Sequence, residues 1–272
     1  MEKNDIKFKA LYFPKGAAFE YGTVGCNFYN GCTHGCEYCY LKRGVLSKAL
    51  GKAEVTLKKH FKDEGDALEK FKYDCDTYTD YLKKTGIFFS FSTDPFIKET
   101  YLLTAEAVKY AASKGIYSKV LTKNGDFDLL QWAAVDMVPQ ELRYYVAYGF
   151  TLTGVDSYEG NAPRNVHRIE TMARLKEKGF RTFASIEPIV YTDDSLRMVK
   201  LAVNVCDHFK IGLQSGVKKD YYDLDSILTF IVNVMSYTNG KSTVYWKESV
   251  RKFIGSTLDL DKWYNSVSQY YF

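Results

Sequence analysis

The chain is short of the residues that mark unusual protein classes. Its five prolines are scattered through 272 residues, which excludes a proline-rich linker or extended tract. Six cysteines are too few and too unevenly placed for a secreted disulfide scaffold, because three fall within eight positions and the others stand apart. A reducing cytoplasm is the expected compartment. No stretch approaches the roughly 18 apolar residues that cross a bilayer. The opening MEKNDIKFKALYF alternates charge without an apolar core, so neither a secretion signal nor a membrane partner is expected. Charge of one sign is also lacking: 37 Lys and Arg against 33 Asp and Glu leave only +4. The basic residues come in short groups such as Lys58, Lys59 and Lys62, which read as solvated helix faces. There is no internal repeat and no low-complexity tract.

What remains is a composition suited to a full core, 46% hydrophobic and 16% aromatic. Strand-like runs at 19–26, 87–93, 117–123, 144–153, 182–190 and 208–214 are each followed by a helix-like segment. Six β-then-α units in series predict an α/β fold with parallel strands and outer helices, a partial (β/α)6 TIM-like barrel. Leu68, Phe71, Cys75, Tyr78 and Leu82 recur at helical spacing, as do Leu196, Val199, Val203 and Cys206, so Cys75 and Cys206 read as small core residues. Beyond Gly216 the pattern changes to an apolar helix near 225–237, a short strand candidate at 243–246 and an aromatic tail ending Trp263, Tyr264, Tyr270, Tyr271 and Phe272. We read 1–272 as a single domain, with a barrel core at about 19–216 and a C-terminal aromatic extension at about 217–272.

Directly after the first strand run comes Asn27-Phe28-Tyr29-Asn30-Gly31-Cys32-Thr33-His34-Gly35-Cys36-Glu37-Tyr38-Cys39-Tyr40. A short glycine-containing loop with CxxxCxxC can wrap three thiolates around one inorganic cube. Iron–sulfur clusters usually take four thiolates, so three leave one iron open for chemistry. Two other readings stand beside this one. Structural zinc usually takes two separated ligand pairs, and no second pair follows here. Cys26 as a fourth thiolate would make a closed electron-transfer cluster, although it belongs to the preceding strand.

The cysteine spacing, with an aromatic before the last cysteine, resembles the radical S-adenosylmethionine (SAM) superfamily. The longer string NxYxGCxHGCxYCY resembles its spore photoproduct lyase-like branch. The likeness continues at Ser92-Thr93-Asp94-Pro95, Leu121-Thr122-Lys123, Thr151, Ala162-Pro163 and Arg168. It implies a [4Fe–4S] cluster on Cys32, Cys36 and Cys39, with SAM chelating the open iron. One-electron reduction would then cleave SAM to a 5′-deoxyadenosyl radical that abstracts hydrogen from substrate, while the protein orients the groups. By the same resemblance Tyr38 approaches the adenine, Lys123 and Thr151 bind the methionine carboxylate, and Ser92 neighbours the methionine. A reduced flavodoxin or ferredoxin would supply the electron, and the substrate would be a nucleic acid or nucleotide.

Strand alternation gives a reading that does not use the resemblance. Ser90 and Ser92 share one face of the second strand, Lys119, Leu121 and Lys123 one of the third, Ala147, Gly149, Thr151 and Thr153 one of the fourth. Ser185 and Glu187 share a face of the fifth strand, and Lys210, Gly212 and Gln214 one of the sixth. These small or polar sets would line the lumen, the large apolar ones would pack on helices, and the carboxyl ends would be the working face. Glu187 and Lys210 are expected to form a substrate-facing pair.

The sequence departs from its branch in one respect. Phe91-Ser92-Thr93-Asp94 has no cysteine where spore photoproduct lyase carries its hydrogen donor, leaving one of the 23 tyrosines or the deoxyadenosine for that task. No cysteine follows Cys206, so one cluster is expected. Against the radical enzyme stand an iron–sulfur electron-transfer or sensing protein that never cleaves SAM, and a zinc-stabilised nucleic-acid-binding module.

Overall fold

The computed structural model describes residues 3–43, 47, 51–126, 128, 136–218 and 220–262. The aromatic tail at 263–272 lies outside the described residues. Ten strands were assigned: β1 Leu11–Tyr12, β2 Gly25–Cys26, β3 Tyr29–Asn30, β4 Thr56–Leu57, β5 Ile87–Phe89, β6 Ser118–Thr122, β7 Val146–Thr151, β8 Arg181–Ile189, β9 His208–Leu213 and β10 Thr243–Trp246. Eight form one sheet in the order β1-β2-β5-β6-β7-β8-β9-β10, parallel from β2 onward with β1 antiparallel at its edge. The α-helices are α1 Glu64–Thr77, α2 Thr79–Thr85, α3 Tyr101–Ser113, α4 Asn165–Glu177, α5 Thr192–Ala202, α6 Leu224–Thr238 and α7 Glu248–Ile254. Helices pack against the parallel strands, giving an α/β partial barrel. Among the described residues no helix is long and apolar enough to cross a membrane.

Three sequence expectations change. The run at 19–26 is strand only at Gly25–Cys26, because Gly16–Glu20 coils into a 3-10 helix. The periodic stretch from Leu68 to Leu82 is two helices, broken at Tyr78. Residues beyond 216 also extend the sheet itself, since β10 pairs in register with β9 from Thr243 against His208 to Trp246 against Ile211. The barrel therefore has seven parallel strands rather than six.

Two cores follow from strand alternation. The outer one gathers residues between sheet and helices, including Cys26, Phe71, Cys75, Phe89, Tyr148, Phe150 and Cys206. The inner one is small: Tyr21, Phe88, Ala147 and Phe183, with Phe91 and Leu121 against them. Phe88 and Phe183 thus put aromatic rings in a lumen expected to be small and polar. Gly149 makes room for one of them, since a Cβ there would stand 2.1 Å from the Phe183 ring.

The sheet does not close on itself, because β1 and β10 are its edges. The 3-10 helix bridges the gap instead. Glu20 accepts hydrogen bonds from the Tyr245 hydroxyl at 2.9 Å and the Glu248 N–H at 2.8 Å, and its carbonyl accepts the Lys210 ammonium at 2.6 Å.

Candidate functional site

The loop that carries the three cysteines leaves β3 at Gly31, whose φ of +88° favours glycine. Space makes the same demand, since a Cβ would lie 2.0 Å from the Glu54 carbonyl oxygen. Backbone bonds then fix the loop's course. Gly31 N–H donates to Ser92 O, Cys32 N–H to Lys52 O, and Asn161 N–H to His34 O, at 3.1, 3.0 and 2.8 Å. The loop is held on one side by the segment after β5 and on the other by the segment after β7.

Two buried polar clusters reinforce those anchors. His34 Nε2 lies 3.0 Å from Asp94 Oδ2, and Asp94 also accepts from Thr122 Oγ1, Lys123 N and Phe96 N. Burial pushes the Asp94 carboxyl upward, but His34 and these donors outweigh it and hold its pKa at about 2. In the second cluster the Tyr38 hydroxyl donates to Glu159, and Arg168 Nη2 stands 2.6 Å from Glu159 Oε2 with both side chains fully buried. Arg168 also donates to Pro163 O and Thr151 O, both at 2.8 Å. Arg168 is thus a buried tie between the cysteine loop and β7. Burial first, then the Glu159 charge, raises the Tyr38 phenol well above its usual range, so it stays protonated.

These elements surround a cavity of about 440 Å³ at the carboxyl ends of the strands. Cys32, Cys36 and Cys39 line it together with Tyr38, Lys123 and Thr151. All three cysteines are free thiols. Burial pushes Cys32 up to about 12 and raises Cys36, so loading a metal group would release protons. Among the described residues no three His, Cys, Asp or Glu side chains converge as a single ion would require. Thiols along one wall of a sizeable cavity suit a multi-iron cube better than one tetrahedral zinc. Cys26 lies in the outer core with Cys75 and is not among the lining residues, which counts against the alternative in which it supplies a fourth thiolate. The residues present therefore fit a cluster with one open position.

Ser92 stands apart from the other expected cofactor residues. Its hydroxyl donates to the Tyr29 carbonyl and it does not line the cavity, whereas Ser90, Phe91 and Thr93 do. Strand β5 ends at Phe89, so alternation cannot be carried three residues further. The expected Glu187–Lys210 pair is corrected by the structure. Glu187 does line the cavity, but its partner is Lys247, whose Nζ lies 2.8 and 2.7 Å from the two carboxylate oxygens, and Lys210 turns to the Glu20 carbonyl. The Tyr21 hydroxyl completes this floor, donating to Glu187 at 2.6 Å and lying 2.7 Å from Ser185 Oγ. Sequence reasoning missed Lys247 and Tyr21. The available signal for Lys247 was its place directly after the strand candidate at 243–246, where a seventh strand would end.

No protein-family model and no curated protein matches the chain. Solved structures do. Spore photoproduct lyase complexed with dinucleoside spore photoproduct superposes with a TM-score of 0.59 at 12% identity, over 85% of this chain and 64% of that one. A doubly substituted spore photoproduct lyase with bound AdoMet and the same dinucleoside gives 0.55 at 12%, over 81% and 62%. Streptococcus suis SuiB bound to S-adenosylmethionine gives 0.55 at 12%, over 83% and 50%. The chain thus spans less than two thirds of the length of each. At such identities the likeness is one of architecture: this chain has the partial-barrel fold shared by spore photoproduct lyase and SuiB.

Proposed function

We propose that the chain, with 1–272 working as one domain, is a radical SAM enzyme. Cys32, Cys36 and Cys39 would hold a [4Fe–4S] cluster. One observation carries this reading: three free thiols, Tyr38, Lys123 and Thr151 line one cavity at the carboxyl ends of a partial barrel. The bound cluster and SAM would supply one-electron reductive cleavage and hydrogen abstraction, driven by a donor such as reduced flavodoxin or ferredoxin.

The chain's own residues do the rest. Lys123 offers an ammonium to the methionine carboxylate in a sheltered cavity, where a charge-assisted contact gains strength. Thr151, at the end of β7, adds a hydroxyl. Tyr38 is fixed by Glu159 and Arg168, so the loop's aromatic wall is set before cofactor arrives. Phe88, Phe91 and Leu121 give the cavity an apolar side that keeps water from the reacting centre. The substrate proposed is a nucleotide or nucleic-acid component. Its support is the dinucleoside held by the spore photoproduct lyase structure of the same fold.

Anaerobic reconstitution followed by dithionite reduction with SAM tests the reading. Near four irons per chain and formation of 5′-deoxyadenosine are expected, both lost in Cys36→Ala and both retained in Cys26→Ala. Cluster loss in Cys26→Ala, or a loaded cluster that never cleaves SAM, would overturn it.

A further inference from the structure

The cavity's charge is unevenly matched. Lysines 15, 42, 52, 123 and 247 line it against two carboxylates, Asp94 and Glu187. Both carboxylates are already met, Asp94 by His34 and Glu187 by Lys247. Lys123 stands 5.6 Å from the Tyr38 ring centroid and belongs to the cofactor side. Lys15, Lys42 and Lys52 remain, all exposed at the mouth and none in an ion pair among the described residues. Lys42 donates to the Gly35 carbonyl at 2.7 Å, an uncharged acceptor that leaves its charge uncancelled. The three come from separate segments: the strap before the 3-10 helix, the turn after the cysteine loop, and the stretch leading to β4. The cofactors proposed above do not cancel this surplus, because an oxidised cluster on three thiolates carries one negative charge and SAM chelated through its neutral amine carries no net charge.

We propose that the mouth holds a phosphate group of the substrate through Lys15, Lys42 and Lys52, and that the substrate's reacting end points inward. This rests on the cavity being the reaction site. Lysine ammonium groups act as point charges that suit a multiply charged phosphate approached from several sides. The opposite orientation is disfavoured because the floor's cation, Lys247, is already paired with Glu187 and offers an anion no surplus charge. Among the described residues Glu187 Oε1 accepts from Lys247 alone, which leaves it an acceptor position for an N–H or O–H of the inner end. A volume of about 440 Å³ is of small-molecule size. The phosphate belongs either to a free nucleotide or to one residue of a strand threaded past the mouth.

The test is equilibrium binding to the full chain, before and after cluster loading, with thymidine, thymidine 5′-monophosphate and a short oligothymidylate at low and high salt. A phosphate-bearing probe is expected to bind at least about tenfold tighter than thymidine, with the advantage shrinking as salt screens it. Lys15→Glu and Lys52→Glu, each with an unchanged melting temperature, should each remove most of that advantage. Monophosphate binding equal to the oligomer supports a free nucleotide, and tighter oligomer binding supports a strand. No phosphate-dependent binding by either probe, or full binding in both charge-reversed variants, overturns the clamp. Iron content and 5′-deoxyadenosine report separately on the radical reading, so the two ideas can fail independently.

Discussion

At the carboxyl ends of the strands Lys247 sits against Glu187 and Arg168 against Glu159, whereas at the amino ends the like charges of Lys119 and Arg181 lie near each other with His208 beside them. Burial first, then Arg181, lowers the Lys119 pKa to about 8. Burial, with Lys210, Lys119 and Arg181 behind it, drives His208 well below its usual range. No hydrogen bond from the Lys119 ammonium is found among the described residues, although its side chain is only 4% exposed. The carboxyl end pairs these buried charges with opposite ones, whereas among the described residues Lys119 at the amino end has no carboxylate against it. The matched end is the one that lines the cavity, as expected if polar geometry is retained where it orients ligands.

Breaking the matched end should have the largest effect. Arg168→Met leaves Glu159 buried without its partner and should cost about 3–5 kcal/mol. The calorimetric melting temperature should fall by about 10 °C, and a fall within error would mean that water replaces the guanidinium. Removing the Lys119 charge at the amino end should act in the opposite direction. Lys119→Met is expected to raise stability at pH 7 by roughly 2 kcal/mol. The sign follows from linkage: with a folded pKa near 8 and an ordinary value of 10.5, wild type loses stability as pH falls from about 10.5 through 8. The variant's advantage should therefore be full at pH 7 and gone near pH 10.5. Equal advantage at both, in paired denaturant titrations, would assign the effect to packing. The smallest expected change is Tyr245→Phe, which removes one hydrogen bond to Glu20 and should cost about 1 kcal/mol. A loss several times larger would show that the bridge across the open edge holds the whole carboxyl end.

The same contrast marks what could be read from the chain. Alternation identified the inward faces of β6 to β9 because these strands pair in parallel over long runs, broken only by a register shift between Ile186 and Ile189 of β8. It failed at Ser92, past the end of β5, and the strand run expected at 19–26 begins instead in a 3-10 helix. The cysteine loop was legible because its chemistry is local. Partners distant in sequence were not: Glu187 with Lys247, Glu159 with Arg168, and Glu20 with Tyr245 depend on how many strands the sheet has and where it stays open. Treating 243–246 as an appendage concealed the last strand and with it the true partner of Glu187.

Glu20 gives the barrel a laced edge rather than a welded one. A welded edge fixes the bore, because every rung of the sheet must be kept to preserve it. Lacing leaves the bore adjustable, and the segment from Phe13 to Glu20 is the thread, so lengthening it would widen the cavity while every strand keeps its neighbours.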